Sequence, residues 1–277
     1  MTRLRGYTVN KLMLVKLSLI SIVLFSMTLP AMSLPAFAAN EKPLMQTQVD
    51  ALLAEVDERS KFESDFKAVI YLQQKHREKG ELLYQASVYR RDENDRFMML
   101  FLKPKSDAGK GYLVMDKNLF LYSPNTGDWS RVSEDRIAGT DTNLNNFETW
   151  NLVERFNGTF VANEKLGKFK VHHIALESKP GKKVDNPKMD LWIEMNSHHV
   201  LKQQDFALSG KLLRTTYRTK WKLLSDEKSV ERYIPIETRI YNEVEKGNQT
   251  IIVIDKIALR ALPANIFSKA WLESKSR

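Results

Sequence analysis

Four of the five histidines come as the adjacent pairs His172-His173 and His198-His199, the first places to look for metal or proton chemistry. Neighbours in a strand point to opposite faces, so neither pair can hold one ion side by side. A composite site would take one histidine from each pair with Glu177 or Glu194; histidines at polar strand ends account for the pattern without a metal. His76 lies in a charged turn. A nucleophilic serine needs a strained turn that presents it to a base, and no Gly-x-Ser-x-Gly run occurs. Gly109-Lys110-Gly111 has the glycines of a phosphate cradle but precedes a strand rather than a helix. Glycine there serves a bend where the strand enters the sheet. The residues therefore indicate no catalytic site, no metal and no cofactor, and the expectation is a protein that is not an enzyme.

What stands out is apolar and aromatic content on β-like runs. Phe97, Met99, Phe101, Tyr112, Val114, Leu119, Leu121, Trp129, Trp192, Tyr217 and Trp221, with Phe147 on a short helical stretch, are the candidate lining of a hydrophobic cavity. Each alone would suit an ordinary core. Together they exceed what a few short helices can cover, and an uncovered apolar hollow marks a binding surface. Met98, Met99, Met115 and Met195 add the adaptable filling that flexible chains require. Which strand parity faces inward stays open, because a one-residue slip exchanges the faces.

The elements that must position these residues begin with a helix over Pro43–Arg59, where Val49, Leu52, Leu53 and Val56 form one apolar stripe. Strands are expected over 62–74, 81–91, 96–103, 111–115, 119–122 and 128–133, then over 159–165, 168–177, 188–196, 200–207, 211–222, 232–245 and 250–259. Turns rich in Gly, Asn, Asp and Pro separate them. A short helix is expected over 143–156. Ile266, Phe267, Trp271 and Leu272 close the chain as a last helical turn. Phe97–Leu102 is apolar at every position, so both of its faces must be covered. The expected class is mainly β (α+β): a strongly curved antiparallel half-barrel of about a dozen strands, with a few helices covering the concave face.

Arg3, Arg5, Lys11 and Lys16 precede the uncharged run Leu17–Leu29, and Ala36-Phe37-Ala38 supplies a small–x–small cleavage pattern. Residues 1–38 thus read as a cleaved secretory signal peptide, and residues 39–277 as a single domain. Removing 38 of the 277 residues takes four basic and no acidic side chains, which lowers the net charge from +9 to +5. That modest excess keeps the chain soluble, and no basic run interleaved with aromatics points to nucleic acid. The sequence contains no cysteine, so the fold uses neither disulfides nor thiol chemistry.

Several stretches carry a resemblance. They are Phe101-Leu102-Lys103-Pro104, Gly109-Lys110-Gly111-Tyr112-Leu113, Asn118-Leu119-Phe120-Leu121-Tyr122-Ser123-Pro124, Trp129-Ser130-Arg131-Val132, Gly139-Thr140 and Asn146-Phe147-Glu148. With the closing Leu262-Pro263, Ile266-Phe267 and Trp271-Leu272, their order and spacing resemble the LolA-like outer-membrane lipoprotein-sorting proteins. Asn146 departs from that pattern, which has an acidic residue there. The resemblance implies a half-barrel around helices, a hydrophobic cavity, no catalysis, and binding of lipid or lipoprotein acyl chains in a Gram-negative periplasm. An inner-membrane transporter is a further expected partner, and membrane contact would be peripheral or transient. Arg131 and Arg136, at the edge of the meander, are candidates for head-group or partner contacts. The alternative is an accessory or regulatory protein of an envelope transporter or stress-signalling complex, with the same fold and a filled core.

Overall fold

The computed structural model describes residues 42–78, 80–116, 118–132, 137, 142, 147, 150–182 and 184–276. Helix α1 (Gln46–Ser60) leads into six hairpin-connected strands: β1 (Phe66–His76), β2 (Gly80–Arg91), β3 (Arg96–Lys103), β4 (Gly111–Met115), β5 (Asn118–Ser123) and β6 (Asp128–Val132). The single turn α2 (Leu152–Arg155) runs straight into β7 (Phe156–Leu166). After it come β8 (Phe169–Ser178), β9 (Lys188–Glu194), β10 (Val200–Phe206), β11 (Leu212–Ser225), β12 (Glu231–Asn242), β13 (Gln249–Leu259) and α3 (Lys269–Lys275). All thirteen strands form one antiparallel sheet in the order β6-β5-β4-β3-β2-β1-β13-β12-β11-β10-β9-β8-β7. The sheet does not close, and with its helices it makes an open half-barrel.

The sheet's two faces follow from period-two alternation. Ile70 and Leu72 of β1, Val88 of β2, Phe97, Met99 and Phe101 of β3, and Tyr112 and Val114 of β4 share the inner face. The intervening Tyr89, Met98, Leu100, Leu113 and Tyr122 point outward and pack against Ile266, Phe267 and Leu272. The apolar run in β3 is thus explained from Phe97 to Phe101, the inner core taking one parity and the C-terminal segment with α3 the other, whereas Leu102 at its end is exposed. α3 covers the outer face, whereas α1 lies on the inner one. Val49, Leu52, Leu53 and Val56 of α1 bury against Leu176, Leu191, Ile193 and Val200.

Some boundaries differ from expectation. α1 starts at Gln46, not in a turn containing Pro43, because the Met45 amide donates to Gln48 Oε1 at 2.9 Å and sets the first turn there. β1 starts at Phe66 rather than Phe62, whose amide donates to Asp92 Oδ2 at 2.8 Å. Of the helix expected over 143–156, the described part is helical only over Leu152–Arg155, and Phe156 already belongs to β7. Residues 1–38 and Arg136 lie outside the described residues. Among the described residues no helix is long and apolar enough to cross a membrane.

Candidate functional site

A cavity of about 420 Å³ lies between the C-terminal end of α1 and the middle of the sheet. Its apolar wall comes from Val56 of α1, Phe62, Phe66 and Ile70 around β1, Val88 of β2, Val200 of β10, Ile234 of β12 and Ile254 of β13, with Phe147 and Trp150. Phe62 and Phe66 stack with ring centroids 5.3 Å apart. Most of the remaining wall is cationic and aromatic: Arg59, Arg90, Arg218 and Arg232, with His198, His199, Trp221 and Tyr233, completed by Ser60, Leu223, Glu231 and Pro235.

Local backbone geometry brings Arg218 and Trp221 to the same hollow. They lie three residues apart on β11 and would face opposite sides of a regular strand. The pairing of β11 with β12 shifts between Arg218 and Lys220 and again between Lys220 and Trp221, and such bulges re-aim the following side chains. Trp221 then stacks on His199 at 4.1 Å with the rings 4° apart. Burial, reinforced by the nearby Arg59 charge, pushes the His199 imidazole below its ordinary pKa of 6.5. The Arg218 guanidinium rests on the Trp150 ring at 4.7 Å and donates through Nη2 to Gln203 Oε1 at 2.9 Å. Its enclosure lowers its pKa to about 10, so it stays cationic at neutral pH. By contrast Arg90 is fully engaged: it pairs with Asp92 and donates to the carbonyls of Phe147 (3.1 Å) and Ser60 (2.9 Å). Arg90 thereby ties the end of α1 and the Phe147 segment to β2.

A sequence-family model described as an uncharacterized protein matches residues 93–274. The chain belongs to that family. Its fold is LolA-like. It superposes on a LolA superfamily protein from Nitrosomonas europaea with a TM-score of 0.68 at 18% identity, covering 80% of this chain and 98% of the other. A putative outer membrane lipoprotein-sorting protein domain from Vibrio parahaemolyticus gives 0.71 at 16% identity, with 83% and 100% covered. A DUF1329 family protein from Desulfovibrio piger gives 0.72 at 14%, with 82% and 98% covered. A comparison with curated proteins gave no match.

In this LolA-like sheet the residues singled out from sequence separate into three groups. Phe147 and Trp221 line the cavity. Phe97, Met99, Phe101, Tyr112, Val114, Leu119 and Leu121 occupy the same inner face beneath β2–β6, where they pack on one another; Phe97 lies 6.0 Å from the Phe147 ring. Trp129, Trp192 and Tyr217 point outward. Trp129 donates to Glu273 Oε1 at 2.6 Å, Trp192 stacks on His173 at 4.2 Å beneath Lys202, and Tyr217 meets Tyr241 at 5.9 Å. Arg131 is exposed on the edge strand β6, paired across from Phe120 and away from the cavity. His173, within β8, lies between Glu164 and Asp190 on the outer face, whereas His198 and His199 precede β10 in a turn rather than a strand and both line the cavity. Sequence reasoning passed over Arg218, Arg232, Trp150 and His199 as cavity residues. A charge placed between Thr216 and Trp221 was the available signal, and the bulge concealed it.

Proposed function

We propose that this chain is a periplasmic carrier that holds an acyl chain of a lipid or lipoprotein beneath α1, without catalysing a reaction. The observation that supports this reading is the 420 Å³ cavity with its apolar wall, within the 300–1,000 Å³ typical of ligand pockets. Phe147 and Trp221 would touch the chain directly. The packed Phe97–Leu121 group would form the floor beside it, and Arg131 would meet a partner at the sheet edge. Each methylene withdrawn from water contributes about 0.8 kcal/mol, so one chain binds usefully with no covalent step. The basic and apolar N-terminal run supports export by a signal peptide cleaved after Ala38, leaving residues 39–277 as the mature domain. An inner-membrane transporter would load or receive the cargo through transient contacts.

The test is native mass spectrometry and solvent extraction of gently purified protein, followed by displacement of an acyl fluorophore. Co-purifying lipid and saturable displacement are expected. Protein that carries no lipid and never takes up the fluorophore would overturn the carrier reading.

A further inference from the structure

Four side-chain nitrogens of the cavity residues are buried and make no hydrogen bond among the described residues: Arg218 Nη1, Trp221 Nε1, Arg232 Nε and His199 Nε2. Such orphans are rare, because each has given up water without a replacement. Four around one hollow imply a missing counterpart. Three of them belong to guanidinium or indole groups, which donate and cannot accept, so the counterpart must be rich in acceptors. The charge is unmatched at Arg218. Arg59, Arg90 and Arg232 have carboxylate partners in Glu55, Asp92 and Glu63, the last at 4.0 Å. Asp205, which favours the Arg218 charge from nearby, is bonded to Arg214 and Gln203. Among the described residues Arg218 itself contacts the neutral Gln203 amide and the Trp150 face. Among the described lining residues the one carboxylate is Glu231, exposed at the start of β12. A buried cation without an anion is costly, which favours a ligand that brings one.

Size narrows the class. At the ~30 Å³ that a water-sized group occupies in a liquid, the cavity holds about fourteen such groups, enough for one medium-length chain and its end group.

We infer that the ligand is a single-chain amphiphile with an oxyanion end, the oxyanion received by Arg218, Trp221 and Arg232 and the chain lying on Phe62, Ile70 and Val88. This rests on the carrier reading and goes beyond it: the cavity selects its cargo by charge as well as by greasiness.

The experiment is competition for an acyl fluorophore by dodecanoate, dodecyl phosphate and dodecanol, on the full mature protein after delipidation. At least one of the two anions is expected to compete about tenfold or more better than the alcohol, the margin of a hydrogen bond to a charged group. The stronger of the two identifies the oxyanion as carboxylate or phosphate. Arg218→Gln and Arg232→Gln should erase most of that preference, weakening the anions by more than they weaken dodecanol. Equal competition by all three in the wild type overturns the inference while keeping the carrier. Failure of all three to compete overturns the carrier reading as well. A preference that survives in a folded Arg218→Gln protein removes Arg218 from the oxyanion site. Should the variants not fold, the wild-type comparison of anion with alcohol still decides.

Discussion

Glu237 lies on the outer face of β12 with Lys220 Nζ at 2.5 Å, Arg239 Nη2 at 2.8 Å and the Thr219 hydroxyl at 2.9 Å. The Lys220 bond foremost, then the Arg239 bond, holds its carboxyl at about 2, against an ordinary 4.5. A carboxyl depressed in the folded state contributes stability that is complete above the unfolded value and is lost as pH falls through the folded one. Urea unfolding of Glu237→Gln should therefore show a constant deficit above pH 5, shrinking between about pH 4.5 and 2. A deficit unchanged at pH 2.5 would contradict that assignment. At this scale the sequence told more about residue type than about direction. The period-two runs of β3 and β4 placed Phe97, Met99, Phe101, Tyr112 and Val114 on one face together. On β11, Tyr217 and Trp221 share parity by number, yet the bulge between them sends one outward and the other into the cavity. Bulges leave no mark in a hydrophobic pattern, and they set which aromatics meet the ligand space.

Both longer helices dock where a strand offers glycine. A Cβ on Gly158 of β7 would lie 2.5 Å from Leu53 Cδ1 and 3.2 Å from Val49 Cγ1, two side chains of α1 that are themselves buried. A Cβ on Gly111 of β4 would lie 2.6 and 2.9 Å from the two methyls of Leu272, the fully buried anchor of α3. Gly158→Ala should therefore cost about 1–3 kcal/mol in denaturant unfolding by overpacking α1; no loss would mean that the helix sits more loosely than its contacts imply. Leu272→Ala should cost about 2–5 kcal/mol and loosen α3 from the outer face. The helix α2 depends on a distant residue. Asp57 of α1 accepts from the amides of Leu152 at 2.6 Å and Val153 at 2.9 Å, capping a helix that could not form alone. Asp57→Ala strips two amides of their acceptor and should destabilise by about 1–3 kcal/mol, with Asp57→Asn milder because one oxygen remains. The amphipathic stripe of α1 was legible because its 3.6 period is local. The brevity of α2 was not, since it is held by a residue 95 positions upstream.

At the scale of the whole molecule, hairpin turns make neighbouring strands pair, so β1 to β6 and β7 to β13 were legible as two meanders. Turn chemistry says nothing of how the two join. They meet at β1 and β13, where Ile70 faces Ile254 and Leu72 faces Ile252, and this seam leaves β6 and β7 at opposite edges. Val132 thus ends β6 at one edge of the sheet, and Leu152 opens α2 before β7 at the other. Ile137 and Phe147, which fall between them in sequence, lie in the inner-face core, and Phe147 and Trp150 line the cavity. The cavity is thus built from α1, both meanders, Phe147 and Trp150 at once, and no single meander contains it. A ligand seated there binds the assembled chain and not the unfolded one, so it must stabilise by mass action. In the presence of an acyl anion at a hundred times its Kd, urea unfolding should gain about 2.7 kcal/mol, and each further tenfold of ligand about 1.4 kcal/mol. The gain should shrink in Phe147→Ala and Trp221→Ala, which remove cavity wall, and persist in Trp129→Ala on the outer face. A ligand shift equally reduced by Trp129→Ala would move the binding surface to the other side of the sheet.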